Sequence, residues 1–163
     1  MKIGIKFGGE IYDVKAKLIE LYGAEITQAT LDKTGPVSLF HSKEEEDALS
    51  LAIESIEQLI VQHNVDINDI ENLVSVTESP RNPFPGNASI IASSFPFKKT
   101  ISTYDLNAGC TGFVDAIKIC MGINTNSLII CSETYSKHIH NFNRATSTLF
   151  SDGAAAIYLR HSD

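Results

Sequence analysis

Cys110 sits in the stretch "YDLNAGCTGFVDAIKIC", between Gly109 and Gly112, where an extended run gives way to a helical one. A thiol acts as a nucleophile through its thiolate, and a helix N-terminus stabilises that anion with unpaired N–H groups and the positive end of the dipole. The flanking glycines permit a tight elbow and, with Thr111, leave small neighbours around the sulfur, as access for a substrate requires. The bland alternative is that Cys110 fills space in a core, as free cysteine commonly does. Cys120, well inside a helical stretch, and Cys131, at the end of an apolar run, fit that description better. For Cys110, local context alone leaves both readings open.

Other chemistry-bearing groups read more weakly. His138 and His140 form an H-x-H pair in a polar loop, but without a third ligand they read as solvated, and no metal site is expected. His63 near a helix end and His161 near the C-terminus suggest nothing further. The acidic run "SKEEED" fits a helix start favoured by the dipole, and Asp152 before Gly153 fits a turn former. "FGGE" lacks the spacing of a phosphate-binding loop, and no cofactor is expected.

The elements that must position Cys110 follow from periodicity. "KIGIKFG" alternates as a strand, and "EIYDVKAKLIELYG" carries helical spacing that stops at Gly23. "ITQATLDKTGPVSLFHS" has turn chemistry at Gly35 and Pro36 and reads as a loop with a short extended piece. Ser42 with Glu45 reads as a capping box before a helix whose stripe is Leu49, Ala52, Ile53, Ile56, Leu59 and Ile60. "ENLVSVTES" is a buried strand, "PRNPFPGN" a breaker and "ASIIASSF" a helix. Then come the strand "TISTYDLN", the helix "CTGFVDAIKICMG" closed by Gly122, and the strands "SLIICSE" and "SDGAAAIYLR". Such alternation implies an α/β domain with a mixed, mainly parallel five-stranded sheet covered by helices on both faces. Ligands in such sheets bind at the carboxyl ends of strands, where Cys110 falls.

Composition bounds the partners. With 163 residues, 43% of them hydrophobic, the chain can bury one core, and residues 1–163 are expected to form a single domain. A net charge of -7 argues against nucleic acid. No run is long enough to cross a bilayer, and the N-terminus lacks a signal peptide's apolar stretch. Three cysteines at spacings unlike a zinc site fit reduced thiols and a cytoplasmic location.

The segment "DLNAGCTGF" resembles the active-site segment of the ketoacyl-ACP synthase III family in the thiolase superfamily, with Cys110 on the acyl-accepting cysteine. Downstream, "SETYSKHIHNFNRATSTLFSDGAAAIYL" is similar to the family stretch ending Phe-Gly-Asp-Gly-Ala-Gly-Ala, with Phe150, Asp152, Gly153 and Ala154 in register. Upstream, "TESPRNPFPGNASIIA" looks like the segment whose Phe-Pro pair precedes the active-site strand, which puts Phe84 on an acyl-pocket position. The resemblance is strong from about Glu71 onward and weak before Ser42. It implies a thiolase-like half in which Cys110 takes an acyl group from an acyl carrier protein or coenzyme A thioester, for decarboxylative condensation with a malonyl thioester. Phe84, Gly109, Thr111 and Gly112 would border the acyl chain and the sulfur.

The family's His and Asn lie in a second, similar half that has no counterpart here, so the chain is expected to need a second thiolase-like half for condensation. Ala29 and Lys33 stand where the family carries the Trp and Arg that grip the adenine end of coenzyme A. The resemblance also implies a homodimer paired through the edge strand from Thr100 to Asn107. Acyl transfer to an alcohol or amine, or a non-catalytic half serving as a dimerisation or partner-binding scaffold, are the alternatives.

Overall fold

The computed structural model describes residues 1–139 and 146–161. Five strands form one sheet in the order β1-β7-β6-β4-β5: β1 (Lys2–Phe7), β4 (Asn72–Val76), β5 (Ser102–Leu106), β6 (Ser127–Glu133) and β7 (Gly153–Leu159). β4 pairs in parallel with β5 and β6, whereas β7 runs antiparallel between β6 and β1. Four of the five strands therefore share one direction, in keeping with the mainly parallel expectation. β2 (Glu10–Asp13) and β3 (Ser38–His41) make a separate small antiparallel pair.

β4 and β6 are buried on both faces, which explains their continuous apolar runs. On one face, Leu49, Ala52, Ile56 and Leu59 of α3 (Ala48–His63) and Ile91 of α4 (Asn87–Ser94) pack on Leu73, Leu128, Ile130 and Tyr158. On the other, Ala116 and Cys120 of α5 (Gly112–Ile123) pack on Val74, Val76, Ile129 and Ile157. α5 covers only part of its face. Ile3, Ile5 and Phe7 of β1 remain partly open beside it, as do Phe113, Val114 and Met121 on its own outer side.

Four local expectations are corrected. Residues 10–13, read as helical, form β2, and the helix begins only at α1 (Val14–Tyr22), with the Asp13 carboxylate accepting from Ala16 N. Residues read as a loop form α2 (Ala24–Thr34), a helix with no broad apolar stripe. The hydroxyls of Thr27, Thr30 and Thr34 donate back to carbonyls four residues earlier, so this helix satisfies threonines that its sequence pattern cannot explain. The capping box before α3 is Asp47 with Ser50, each bonding the other's backbone N–H, rather than Ser42 with Glu45. α5 runs through Gly122 and ends on Asn124 in the left-handed region at φ 64°, which an Asn tolerates.

Candidate active site

The loop from β5 to α5 makes a tight turn in which Gly112 N–H donates to Gly109 O at 2.9 Å. Cys110 and Thr111 are its two corner residues, and Cys110 is exposed. α5 starts two residues after Cys110, with Asp115 N–H donating to Thr111 O at 3.1 Å. The sulfur thus stands just ahead of the helix N-terminus rather than within the helix, as the reading of "CTGFVDAIKICMG" supposed.

The two glycines serve different ends. Gly112 is buried, and a Cβ there would lie 2.3 Å from Val76 Cγ1, so its bareness seats α5 on β4. A Cβ on Gly109 would lie 2.7 Å from Glu78 Oε2, so that glycine makes room for a carboxylate beside the cysteine. Thr111 is exposed and does not cap α5 through its side chain.

Cys110 opens into a cavity of about 550 Å³ at the carboxyl ends of β4 and β6. Its apolar wall includes Ile5, Phe7, Val76, Phe113 and Phe150, and its polar lining residues are Lys6, Glu78, Ser132, Glu133, Tyr135, Ser151 and Asp152. Glu133 is fully engaged, accepting from Glu78 N at 2.6 Å and from Ser79 Oγ at 2.7 Å. The Tyr135 hydroxyl donates to Glu78 Oε2, and its ring stacks on Phe150 at 5.1 Å between centroids. That hydrogen bond, reinforced by burial and the surrounding negative charge, pushes the Tyr135 phenol up to about 12, so it stays a neutral donor at physiological pH. Ser132, 3% exposed, has a hydroxyl with no protein partner among the described residues.

Asp152 is buried and accepts from Ser42 N and Oγ, both at 2.7 Å, from Ser136 N at 2.9 Å and from Ser136 Oγ. It therefore fastens the start of β7 to two loops, a larger role than the turn former that its place before Gly153 suggested.

The three thiols differ sharply. Cys120 is buried, with its thiol pushed up by that burial, and desolvation together with Glu133 pushes Cys131 up to about 11. Little thiolate exists at either near neutral pH, which fits their reading as space fillers.

Phe84 stands 90% exposed in the Pro-rich loop and does not line the Cys110 cavity. Its loop is fixed nevertheless. Arg81 pairs with Asp47 at the start of α3, and Asp105 of β5 accepts from Ala88 N at 2.9 Å. His138 is exposed at the end of a short 3-10 turn, and His140 lies outside the described residues. His41 stacks on Tyr12 at 4.3 Å between centroids, outside the cavity, with its pKa lowered chiefly by burial. Among the described residues no cluster of His, Cys, Asp or Glu could hold a metal ion. Glu78 and Tyr135 were missed in the sequence, although each follows the carboxyl end of a strand that flanks the nucleophile turn.

A sheet of this order, with the α5 crossover and a cysteine turn at its start, defines one half of a thiolase-type fold. The 3-oxoacyl-(acyl-carrier protein) synthase of Burkholderia xenovorans superposes with a TM-score of 0.93 at 20% identity, covering 99% of this chain and 48% of that one. Within that fold the sequence is synthase-III-like, since the model of the family 3-oxoacyl-[acyl-carrier-protein (ACP)] synthase III matches residues 104–163. The beta-ketoacyl-[acyl-carrier-protein] synthase III of Neisseria gonorrhoeae is 32% identical over 125 residues, 74% of this chain and 39% of that protein. The Clostridium perfringens enzyme is 33% identical over 124 residues, 73% of this chain and 38% of its own length. The chain thus spans about two fifths of the curated relatives it matches. Among the described residues no helix is long and apolar enough to cross a membrane.

Proposed function

We propose that this chain is the nucleophile-bearing half of a synthase-III-like acyltransferase. Cys110 accepts an acyl group from an acyl carrier protein or coenzyme A thioester, ahead of decarboxylative condensation with a malonyl thioester in fatty-acid or polyketide-type biosynthesis. The observation that carries this reading is the exposed Cys110 at the corner of a turn that opens α5 and faces an apolar-walled cavity. The sulfur attacks the thioester carbonyl, and the N–H of Cys110 supplies one donor to the oxyanion that forms, a type of contact worth roughly 3 to 4 kcal/mol. Glu78, Glu133 and Asp152 around the cavity outnumber Lys6, whose ammonium pairs with Glu54, and disfavour an anionic acyl group on Cys110, so the group loaded first is an uncharged acyl chain. A cytoplasmic setting would keep the three thiols reduced.

The test is direct. The butanoyl thioester of N-acetylcysteamine should add one acyl group to the wild-type chain, located at Cys110 by peptide mass spectrometry, and none to Cys110→Ala. An adduct that persists in Cys110→Ala would refute the assignment.

The proposal includes a two-fold homodimer through β5. This strand lies at the sheet edge with Tyr104 exposed, and an open edge otherwise invites disordered pairing. Because the Phe84 loop is tied to β5 through Asp105, a second copy on that edge would also provide the cover that Phe84 lacks within one chain. Light scattering at micromolar concentration should report a dimer, and Tyr104→Pro, which breaks the edge, should report a monomer. A wild-type chain that stays monomeric would rule the interface out.

A further inference from the structure

Glu78 is the unexplained group at the site. It lies just past the end of β4, exposed, with its carboxylate over Gly109, the residue before the nucleophile. Only Oε2 is occupied, by the Tyr135 hydroxyl, while Oε1 has no partner among the described residues. The Tyr135 ring is held by Phe150, and the Glu78 backbone N–H is held by Glu133, so both ends of the carboxylate's setting are fixed. Cys110 lines the same cavity as Glu78 and Tyr135.

This arrangement has a consequence for the cysteine. A thiol that attacks a thioester has to give up its proton, and the Glu78 carboxylate stands over the residue next to it. Attack on a thioester then needs a base in place. Among the described residues no His lines the cavity, and the Lys6 ammonium is turned away to Glu54 at 2.6 Å.

We propose that Glu78 is the general base for loading Cys110, with Tyr135 as the residue that positions it; this rests on the reading of Cys110 as acyl acceptor. As Sγ attacks the carbonyl carbon, the thiol proton passes to Glu78 Oε1. When the tetrahedral intermediate collapses, the bond from that carbon to the donor sulfur breaks and the same proton goes to the departing thiolate. The products are an acyl-Cys110 thioester and the free carrier thiol, and Glu78 is again a carboxylate. No other reactant is required.

The test compares wild type, Glu78→Gln and Tyr135→Phe in two reactions of the same cysteine. One is acylation by the butanoyl thioester of N-acetylcysteamine, read by intact mass, and the other is alkylation by iodoacetamide. Glu78→Gln should slow acylation by about 100-fold, within the range general bases supply, while alkylation is at least as fast as in wild type. Tyr135→Phe keeps the base and should lose less than about 10-fold.

Equal acylation in wild type and Glu78→Gln would overturn the base assignment and leave the acyl-acceptor reading standing. Acylation and alkylation falling together would also overturn it, by showing only a disturbed site. A wild-type chain that alkylates at Cys110 but never acylates would sink both readings.

Discussion

Mixed with acyl and malonyl thioesters, the 163-residue chain alone is expected to load Cys110 and then stop, releasing no ketoacyl product. Condensation passes through an anionic thioester enolate, which needs hydrogen-bond donors or positive charge where the charge develops. The cavity offers little of either, since the carboxylates of Glu78, Glu133 and Asp152 surround it, the Lys6 ammonium is paired with Glu54, the Tyr135 hydroxyl donates to Glu78, and no His is among its described lining residues. A like-charge pair about 5 Å apart costs roughly 3 kcal/mol at an effective dielectric of about 20, so this half alone would slow the step rather than speed it.

The packing also leaves an apolar face open. Phe7 is 52% exposed and Met121 72%, on a face that also leaves Ile5, Phe113 and Val114 partly open. An apolar face of several hundred Å² left in water forfeits roughly 25 cal/mol for each Å². The chain should therefore bind a hydrophobic dye, and a separately produced second thiolase-like half carrying the His and Asn should displace the dye and restore condensation. Ketoacyl product from the chain alone would defeat this expectation and turn attention to His138 and His140.

What the sequence made legible was governed by which residues carry a pattern. α3 and the strands β1, β4 and β6 announce themselves because one face or both must be apolar to be buried, and Leu49, Ile56, Leu128 and Ile130 are fully buried where periodicity put them. α2 was hidden because its threonines make their own carbonyl bonds instead of an apolar stripe. The cap of α3 was misplaced because Ser42, which looks like a cap, is claimed by Asp152 from the far end of the chain. At the site, Cys110 could be singled out from its glycines and its place at a strand end. Its neighbours could not, since Glu78 and Tyr135 meet it only after β4, β5 and β6 lie side by side. Gly109 leaves room, but a carboxylate takes it, and Gly112 belongs to packing.

Replacing Gly4 with Val is expected to cost at least about 3 kcal/mol of stability, the upper part of the range for overpacked cores, and to lower the melting temperature by roughly 6 to 12 °C. Gly4 lies where α3 rests on β1. A Cβ there would stand 2.3 Å from Ser55 O, 2.5 Å from Leu59 N and 2.8 Å from Leu59 Cα. All three are backbone atoms, so no rotamer change can relieve the contact, and α3 must lift from the sheet. That motion strains Leu59 and Ile56, which are buried in the core, and it displaces β1, which among the described residues pairs with β7 alone. β1 in turn carries Ile5 and Phe7, part of the cavity wall that faces Cys110, so the fraction still folded should also acylate more slowly. Ile5→Ser is the control. Its side chain is partly open in the isolated chain, so it should change stability by less than about 1 kcal/mol. Thermal melting followed by circular dichroism reads both variants, and a Gly4→Val protein that melts with wild type would mean that α3 does not sit on β1 as closely as described.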